Sequence, residues 1–113
     1  MEASKSDHSE TILIVDDNKI AARAFQYKIS SLGFTTEIEN DPNEALAKIQ
    51  NSKYSLILLD ISMPGLSGLD ILEQIRPKIN SKELPIIMLT AEYNANTLKQ
   101  ATNLGANDVL SKD

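Results

Sequence analysis

The stretch from Leu56 to Gly65 (LILLDISMPG) places the strongest constraint on the fold. Four consecutive apolar residues lead directly into Asp60, and Pro64 and Gly65 mark a turn soon afterwards. A short apolar run that ends in a turn predicts a strand buried on both faces, as is typical of parallel sheets. In α/β folds the functional site lies outside the carboxyl ends of such strands. Asp60 is therefore the first candidate for chemistry.

The same pattern of a strand followed by a helix repeats along the chain. Four further strands are predicted, over residues 11–15, 34–38, 84–89 and 108–110. The helices between them begin after capping residues, among them Asn18, Asp41 and Ser67. Alternation of this kind predicts parallel strands joined by right-handed crossovers, with helices on both faces. Since 113 residues are too few for an eight-unit barrel, we expect an open, doubly wound, five-stranded parallel sheet.

Composition excludes several classes of function. The chain has no cysteine and one histidine, His8, so thiolate metal sites and a histidine general base are not expected. A net charge of −5 argues against direct binding to nucleic acid. No apolar run is long enough to span a membrane, and no signal peptide is expected. Residues 1–10 are polar and patternless, which predicts a disordered tail before one domain over residues 11–113.

Carboxylate, hydroxyl and ammonium side chains lie at or just after the ends of four of the five predicted strands. They are Asp16, Asp17, Asp60, Thr90 and Lys112. In a parallel sheet these ends lie along one edge, so the side chains are expected to converge. Two like charges about 4 Å apart repel by roughly 4 kcal/mol at an effective dielectric constant of 20, so three carboxylates require a compensating cation. Lys112 and a Mg²⁺ ion would supply it, which predicts a phosphoryl-transfer site with an aspartate as acceptor.

Each of these residues also has an ordinary structural interpretation. An aspartate or threonine after a strand is commonly a helix cap or turn residue, and a lone lysine is commonly a solvated surface residue. The functional interpretation is preferred because all of them follow the appropriate strands in one short chain.

These motifs make the chain similar to the receiver domains of two-component response regulators. The resemblance runs from Ile12 to Lys112 and includes the segments IVDDN (14–18), LLDISMPGLSG (58–68), MLTA (88–91) and GANDVLSK (105–112). It implies a flavodoxin-like α/β fold with strand order 2-1-3-4-5. It also implies a cytoplasmic signalling switch rather than an enzyme, with intrinsic Mg²⁺-dependent self-phosphorylation and autodephosphorylation.

The resemblance also implies roles for the acidic residues. Asp60 corresponds to the phosphoacceptor, which takes a phosphoryl group from a phosphohistidine on a sensor histidine kinase or a histidine phosphotransfer protein. Asp17 and Asp60 correspond to Mg²⁺ ligands, with the backbone carbonyl of Ser62 as a third. Asp16 corresponds to the residue that orients a metal-bound water.

Two further residues complete the implied switch, and two positions depart from the family pattern. Lys112 would pair with Asp60 and then with its phosphoryl group, while Thr90 corresponds to the hydroxyl that moves toward that group. Val109 stands where the family often has an aromatic residue, and Asp113 stands where it usually has a proline. A trans bond before Asp113 is expected, because a cis bond to a non-proline residue costs about 2.5–4 kcal/mol.

The fifth helix of the family pattern has no counterpart in the sequence. In the family it covers one face of the sheet beside the first helix. Without it, apolar surface near Phe25 and Ile29 would be exposed, and such patches mark interfaces. We expect either a C-terminally truncated piece of a longer regulator or kinase, or a homodimer that buries this surface.

Three other functions remain as alternatives. A hydrolase of the haloacid-dehalogenase type would need a second aspartate where Ser62 stands. A flavodoxin-like FMN carrier would need a Ser/Thr/Gly-rich loop after the first strand, where this chain has Asp16 and Asp17. A binding module that is never phosphorylated would have no need for the complete acidic site.

Overall fold

The computed structural model describes residues 6–112. Within this range five strands alternate with four helices: β1 (Ser6–Val15), α1 (Lys19–Ser30), β2 (Thr35–Glu39), α2 (Pro42–Asn51), β3 (Ser52–Asp60), α3 (Gly68–Ile75), β4 (Ile86–Thr90), α4 (Ala95–Asn103) and β5 (Asp108–Ser111). None of these four helices is long and apolar enough to cross a membrane.

The strands form one sheet in the order β2-β1-β3-β4-β5, and every neighbouring pair is parallel. The predicted doubly wound α/β fold and its strand order are therefore confirmed. Val15 pairs with Leu59, and Thr90 pairs with Ser111. The carboxyl ends of the central strands consequently lie side by side along one edge of the sheet.

The first strand begins earlier than the sequence predicted. Residues 6–8 pair with residues 52–54 of β3, and the register shifts between His8 and Ile12. The prediction of a disordered tail through residue 10 is therefore wrong for residues 6–10, while residues 1–5 lie outside the described part of the chain. Main-chain hydrogen bonds hold a strand whatever its side chains, so an apolar pattern detects only the buried half of β1.

Helices cover the two faces of the sheet unequally. On one face α2, α3 and α4 pack over the larger core, to which they contribute Ala45, Ile49, Ile71, Leu72, Ile75 and Ala101. On the other face α1 is the only helix among the described residues, and it packs over a smaller core that includes Ala22, Ile14 and Leu89. Both faces of the central strands are covered, which explains why β3 ends in four buried residues.

An apolar groove of about 560 Å³ lies beside α1, where Phe25 and Ile29 line it. Around it, the side chains of Leu32, Phe34 and Leu110 are 74%, 53% and 46% exposed. The apolar surface that the sequence predicted near Phe25 and Ile29 is therefore present.

Candidate functional site

Two carboxylates are buried where the central strands end. Asp60 is the last residue of β3, and Asp16 follows Val15, the last residue of β1. Asp16 is 0% exposed and Asp60 is 2% exposed, whereas Asp17 is exposed. An uncompensated carboxylate is rarely buried, so the surroundings of these two determine what the site can do.

The backbone around Asp60 is fixed on two sides. The Ile61 N–H donates to the Leu89 carbonyl at 2.9 Å, and the Gly68 N–H donates to the Ile61 carbonyl at 3.0 Å. The Ser62 N–H donates to Asp60 Oδ1 at 3.2 Å. A Cβ at Gly68 would lie 2.2 Å from the Asp60 carbonyl oxygen, so only glycine permits α3 to start this close to the acid.

Asp16 is held by its neighbours in the chain and by the loop after β2. Its N–H donates to the Glu39 carbonyl at 3.2 Å, and its own carbonyl accepts from Asn40 Nδ2 at 2.8 Å. Its Oδ1 accepts from the Asn18 N–H at 3.0 Å. Sequence reasoning missed Glu39 and Asn40, because they lie at the end of β2 and carry no strand-end motif.

Lys112 joins the two buried carboxylates. Its Nζ lies 3.0 Å from Asp16 Oδ2 and 3.1 Å from Asp60 Oδ2. Its N–H donates to the Thr90 carbonyl at 2.9 Å, which extends the β4–β5 pairing to the lysine. The structure thus brings together the lysine and both aspartates that the sequence placed at strand ends.

The electrostatic balance leaves Asp60 harder to ionise than an ordinary aspartate. Burial raises the pKa of Asp60 from its usual 3.8 to about 6, and the charge of Asp16 adds to the rise, although Lys112 opposes it. Burial alone would lower the pKa of Lys112, but its pairing with Asp16 and Asp60 outweighs burial and raises it. One ammonium therefore does not fully compensate the acidic cluster.

The donor set fits a hard divalent cation. Asp16, Asp17 and Asp60 each place one carboxylate oxygen within 4.8 Å of the others. Apart from its ion pair with Lys112, the buried Oδ2 of Asp16 has no hydrogen-bond partner in the described part of the chain. Carboxylate oxygens grouped in this way are ligands that Mg²⁺ prefers. Ser62 is linked to Asp60 through its N–H, and the role of its carbonyl as a ligand stays a prediction.

Two further residues of the predicted switch, Thr90 and Val109, lie on the neighbouring strands β4 and β5. Thr90, the last residue of β4, is 3% exposed, and its Oγ1 accepts from the Glu92 N–H at 3.0 Å. Val109 is 1% exposed and belongs to the larger core. The prediction of a trans bond before Asp113 lies outside the described residues.

Residues 12–113 match the family described as the response regulator receiver domain. The chain belongs to this family. The predicted resemblance is confirmed, and the chain is a receiver domain of a two-component response regulator, a family of signalling switches. The match favours this interpretation over a haloacid-dehalogenase-type hydrolase or an FMN carrier.

Individual relatives support the same assignment. The chain is 33% identical to the chemotaxis protein CheY of Pseudomonas aeruginosa over 102 residues, which cover 89% of this chain and 82% of CheY. It is 36% identical over 101 residues to the transcriptional regulatory protein YkoG of Bacillus subtilis, covering 89% of this chain but 43% of YkoG. The chain therefore spans less than half the length of that relative.

Solved structures share the fold. CheY4 of Vibrio cholerae has a TM-score of 0.82 and 29% sequence identity, with 92% of this chain and 87% of that chain covered. The response regulator TrrA of Thermotoga maritima, solved in complex with Mg²⁺-BeF, has a TM-score of 0.80 and 31% identity. The coverage is again 92% of this chain and 87% of that chain.

Proposed function

We propose that this receiver domain is a phosphoacceptor, and that Asp60 accepts a phosphoryl group from a phosphohistidine. One observation carries the proposal: Lys112 lies within 3.1 Å of both Asp16 and Asp60, in an acidic cluster that one ammonium does not neutralise. A structural ion pair would need one carboxylate. Three carboxylates with one lysine suit a site that receives a cation and a phosphoryl group.

The proposed reaction uses Asp60 as the nucleophile. A carboxylate oxygen of Asp60 bonds to phosphorus while the phosphorus–nitrogen bond of the phosphohistidine breaks, and the bonding electron pair stays with the imidazole nitrogen. With its pKa raised to about 6, Asp60 is mostly ionised at neutral pH and can attack. Lys112 pairs with the carboxylate before transfer and with the phosphoryl oxygens afterwards.

Asp17, Asp60 and the Ser62 carbonyl would hold Mg²⁺, and Asp16 would orient a water bound to it. When bound, the ion neutralises charge on the transferring group. We further propose that the domain can phosphorylate itself from small phosphodonors and lose the phosphoryl group by hydrolysis, both in the presence of Mg²⁺.

Thr90 would change its contacts when Asp60 is phosphorylated. Its hydroxyl now accepts from the Glu92 N–H, and we propose that it turns toward the phosphoryl oxygens after transfer, shifting the start of the β4–α4 loop. Val109 packs in the core where the family often has an aromatic residue, so Thr90 would carry the change without an aromatic partner.

The proposed partners are a sensor histidine kinase or a histidine phosphotransfer protein. The apolar groove beside α1 leaves two alternatives for what covers it: a further segment of a longer protein, or a second copy of the chain. Sedimentation with and without beryllium fluoride and Mg²⁺ tests the second alternative. A monomer under both conditions would contradict a homodimer.

Intact-mass spectrometry after incubation with acetyl phosphate and Mg²⁺ tests the proposed function. We expect a mass gain of one phosphoryl group in the wild type and none in Asp60→Asn. The matched control is Glu73→Gln, which removes an exposed carboxylate on α3 and should be labelled like the wild type. Labelling that persists in Asp60→Asn, or its absence from a folded wild type under conditions that label CheY, would contradict the proposal.

A further inference from the structure

The corner between β2 and α2 (residues 39–43) holds the main chain of Asp16 on both sides. The Glu39 carbonyl accepts from the Asp16 N–H at 3.2 Å, and Asn40 Nδ2 donates to the Asp16 carbonyl at 2.8 Å. Asn40 comes from 24 residues further along the chain, and its side chain is partly buried. The two contacts fix the peptide groups before and after the Asp16 Cα, and thereby the direction of the Cα–Cβ bond that carries its carboxylate.

The corner is itself anchored. A Glu39 carboxylate oxygen lies 2.8 Å from Lys48 Nζ, and the other accepts from the Asp41 N–H at 2.9 Å. Asp41 in turn caps α2 through the Asn43 N–H. The Asn40 amide therefore projects from a braced segment toward Asp16.

The carboxylate that this corner orients has little other support. Asp16 Oδ1 accepts one hydrogen bond, from the Asn18 N–H, and Oδ2 has the Lys112 ion pair and no hydrogen bond within the described residues. If a cation drew Lys112 away from Asp16, the position of the carboxylate would depend mainly on its backbone.

We propose that Asn40 is a positioning residue for the cation site, acting through its hydrogen bond to the Asp16 main-chain carbonyl. This inference rests on the metal-binding part of the proposed function. Loss of a hydrogen-bonding group one shell beyond a metal ligand commonly weakens metal affinity about 10–100-fold. Asn40 acts on Asp16, which would orient a metal-bound water rather than hold the ion itself, and it bonds the backbone rather than the carboxylate of Asp16. We therefore expect a smaller loss, of about three- to tenfold.

Two variants remove the amide donor: Asn40→Ala and the more nearly isosteric Asn40→Leu. Mg²⁺ affinity is measured by NMR titration, and exchange of the Asn18 amide hydrogen is measured without metal. We expect weaker Mg²⁺ binding and faster Asn18 exchange in whichever variant folds. Asn43→Ala is the matched control, since it removes an exposed amide side chain from the same corner and should change neither quantity.

A second control separates positioning from general stability. Ile75→Val trims a buried side chain of α3 far along the chain from the corner, and should lower the melting temperature without changing Mg²⁺ affinity. If either Asn40 variant binds Mg²⁺ like the wild type, Asn40 does not position the site. If the wild type itself binds no Mg²⁺, the proposed function fails at its metal step, which is a different result.

Discussion

Replacing Asp60 by asparagine should stabilise the metal-free protein at pH 8. Asparagine has nearly the shape of a protonated aspartate, so the variant resembles the wild type with Asp60 protonated and neutral. Burial and the charge of Asp16 oppose ionisation of Asp60 in the folded state. The variant removes that cost, while Lys112 keeps its 3.0 Å contact with Asp16.

The magnitude follows from the pKa of Asp60, which rises from 3.8 in its usual state to about 6 in the fold. Because the folded protein binds its proton more tightly, the wild type loses stability as pH rises from 3.8 through about 6. At about 1.4 kcal/mol per pH unit, the loss approaches roughly 3 kcal/mol above that window. The pKa of about 6 already includes the pairing of Asp60 with Lys112. A buried asparagine amide recovers only part of this difference, because it adds N–H donors that need partners, so we expect Asp60→Asn to be more stable by about 1–3 kcal/mol at pH 8.

Urea denaturation of both proteins at pH 4 and pH 8, with a chelator present, measures this difference. With a slope of about 2 kcal/mol per molar urea, the variant's midpoint at pH 8 should lie about 0.5–1.5 M higher. The advantage should shrink toward pH 4, because the wild-type carboxyl is then largely protonated in the fold. Groups that do not interact with Asp60 titrate alike in both proteins and cancel in the comparison.

Magnesium should reverse the order of stability of the wild type and Asp60→Asn. A ligand that binds only the folded state stabilises it in proportion to the logarithm of its concentration over Kd. Millimolar Mg²⁺ should therefore raise the midpoint of the wild type more than that of Asp60→Asn. A variant that is less stable than the wild type at pH 8 without metal, or a difference that does not change with pH, would refute the electrostatic reasoning.

Four further substitutions test the framework of the fold by thermal denaturation. Gly68→Ala should destabilise the fold by about 3 kcal/mol or more, because its Cβ would lie 2.2 Å from the Asp60 carbonyl oxygen. Gly33→Ala meets open space but has a φ of +98°, so it should cost about 1–2 kcal/mol. Equal losses in the two variants would contradict the close contact at Gly68. Arg76→Met removes three hydrogen bonds from the end of α3 to the segments that precede β4 and β5, and should cost about 2–3 kcal/mol. Lys48→Met removes two partly exposed ion pairs and should cost about 1 kcal/mol or less, so a loss as large as that of Arg76→Met would contradict the ranking.

Parallel topology explains why so much of the acidic cluster could be predicted from the sequence. Once three strands are known to be parallel neighbours, residues at their ends are near one another whatever the intervening helices do. Asp16, Asp60 and Thr90 each occupy such a position. Lys112 could be included because the main-chain pairing of β5 with β4 continues to its own N–H.

The first half of β1 could not be predicted by the same reasoning. Periodicity detects a strand through the burial of its side chains, and residues 6–10 contain no apolar residue. Their pairing depends on the backbone of Ser52, Lys53 and Tyr54, at the start of a strand whose own apolar run begins later. A strand held by main-chain hydrogen bonds to a polar neighbour has no signature in its own residues.

The contact between Asn40 and Asp16 illustrates the same limit at the site itself. An asparagine after an edge strand predicts a turn, since its side chain commonly bonds nearby backbone. Here the amide bonds a carbonyl 24 residues earlier, because the β1–β2 pairing places the end of β2 beside the residue that follows β1. Strand order alone therefore predicts which acids meet, but the orientation of Asp16 depends on how one loop turns after β2. If Asn40 sets that orientation, the β2–α2 loop contributes to cation affinity although it supplies no ligand.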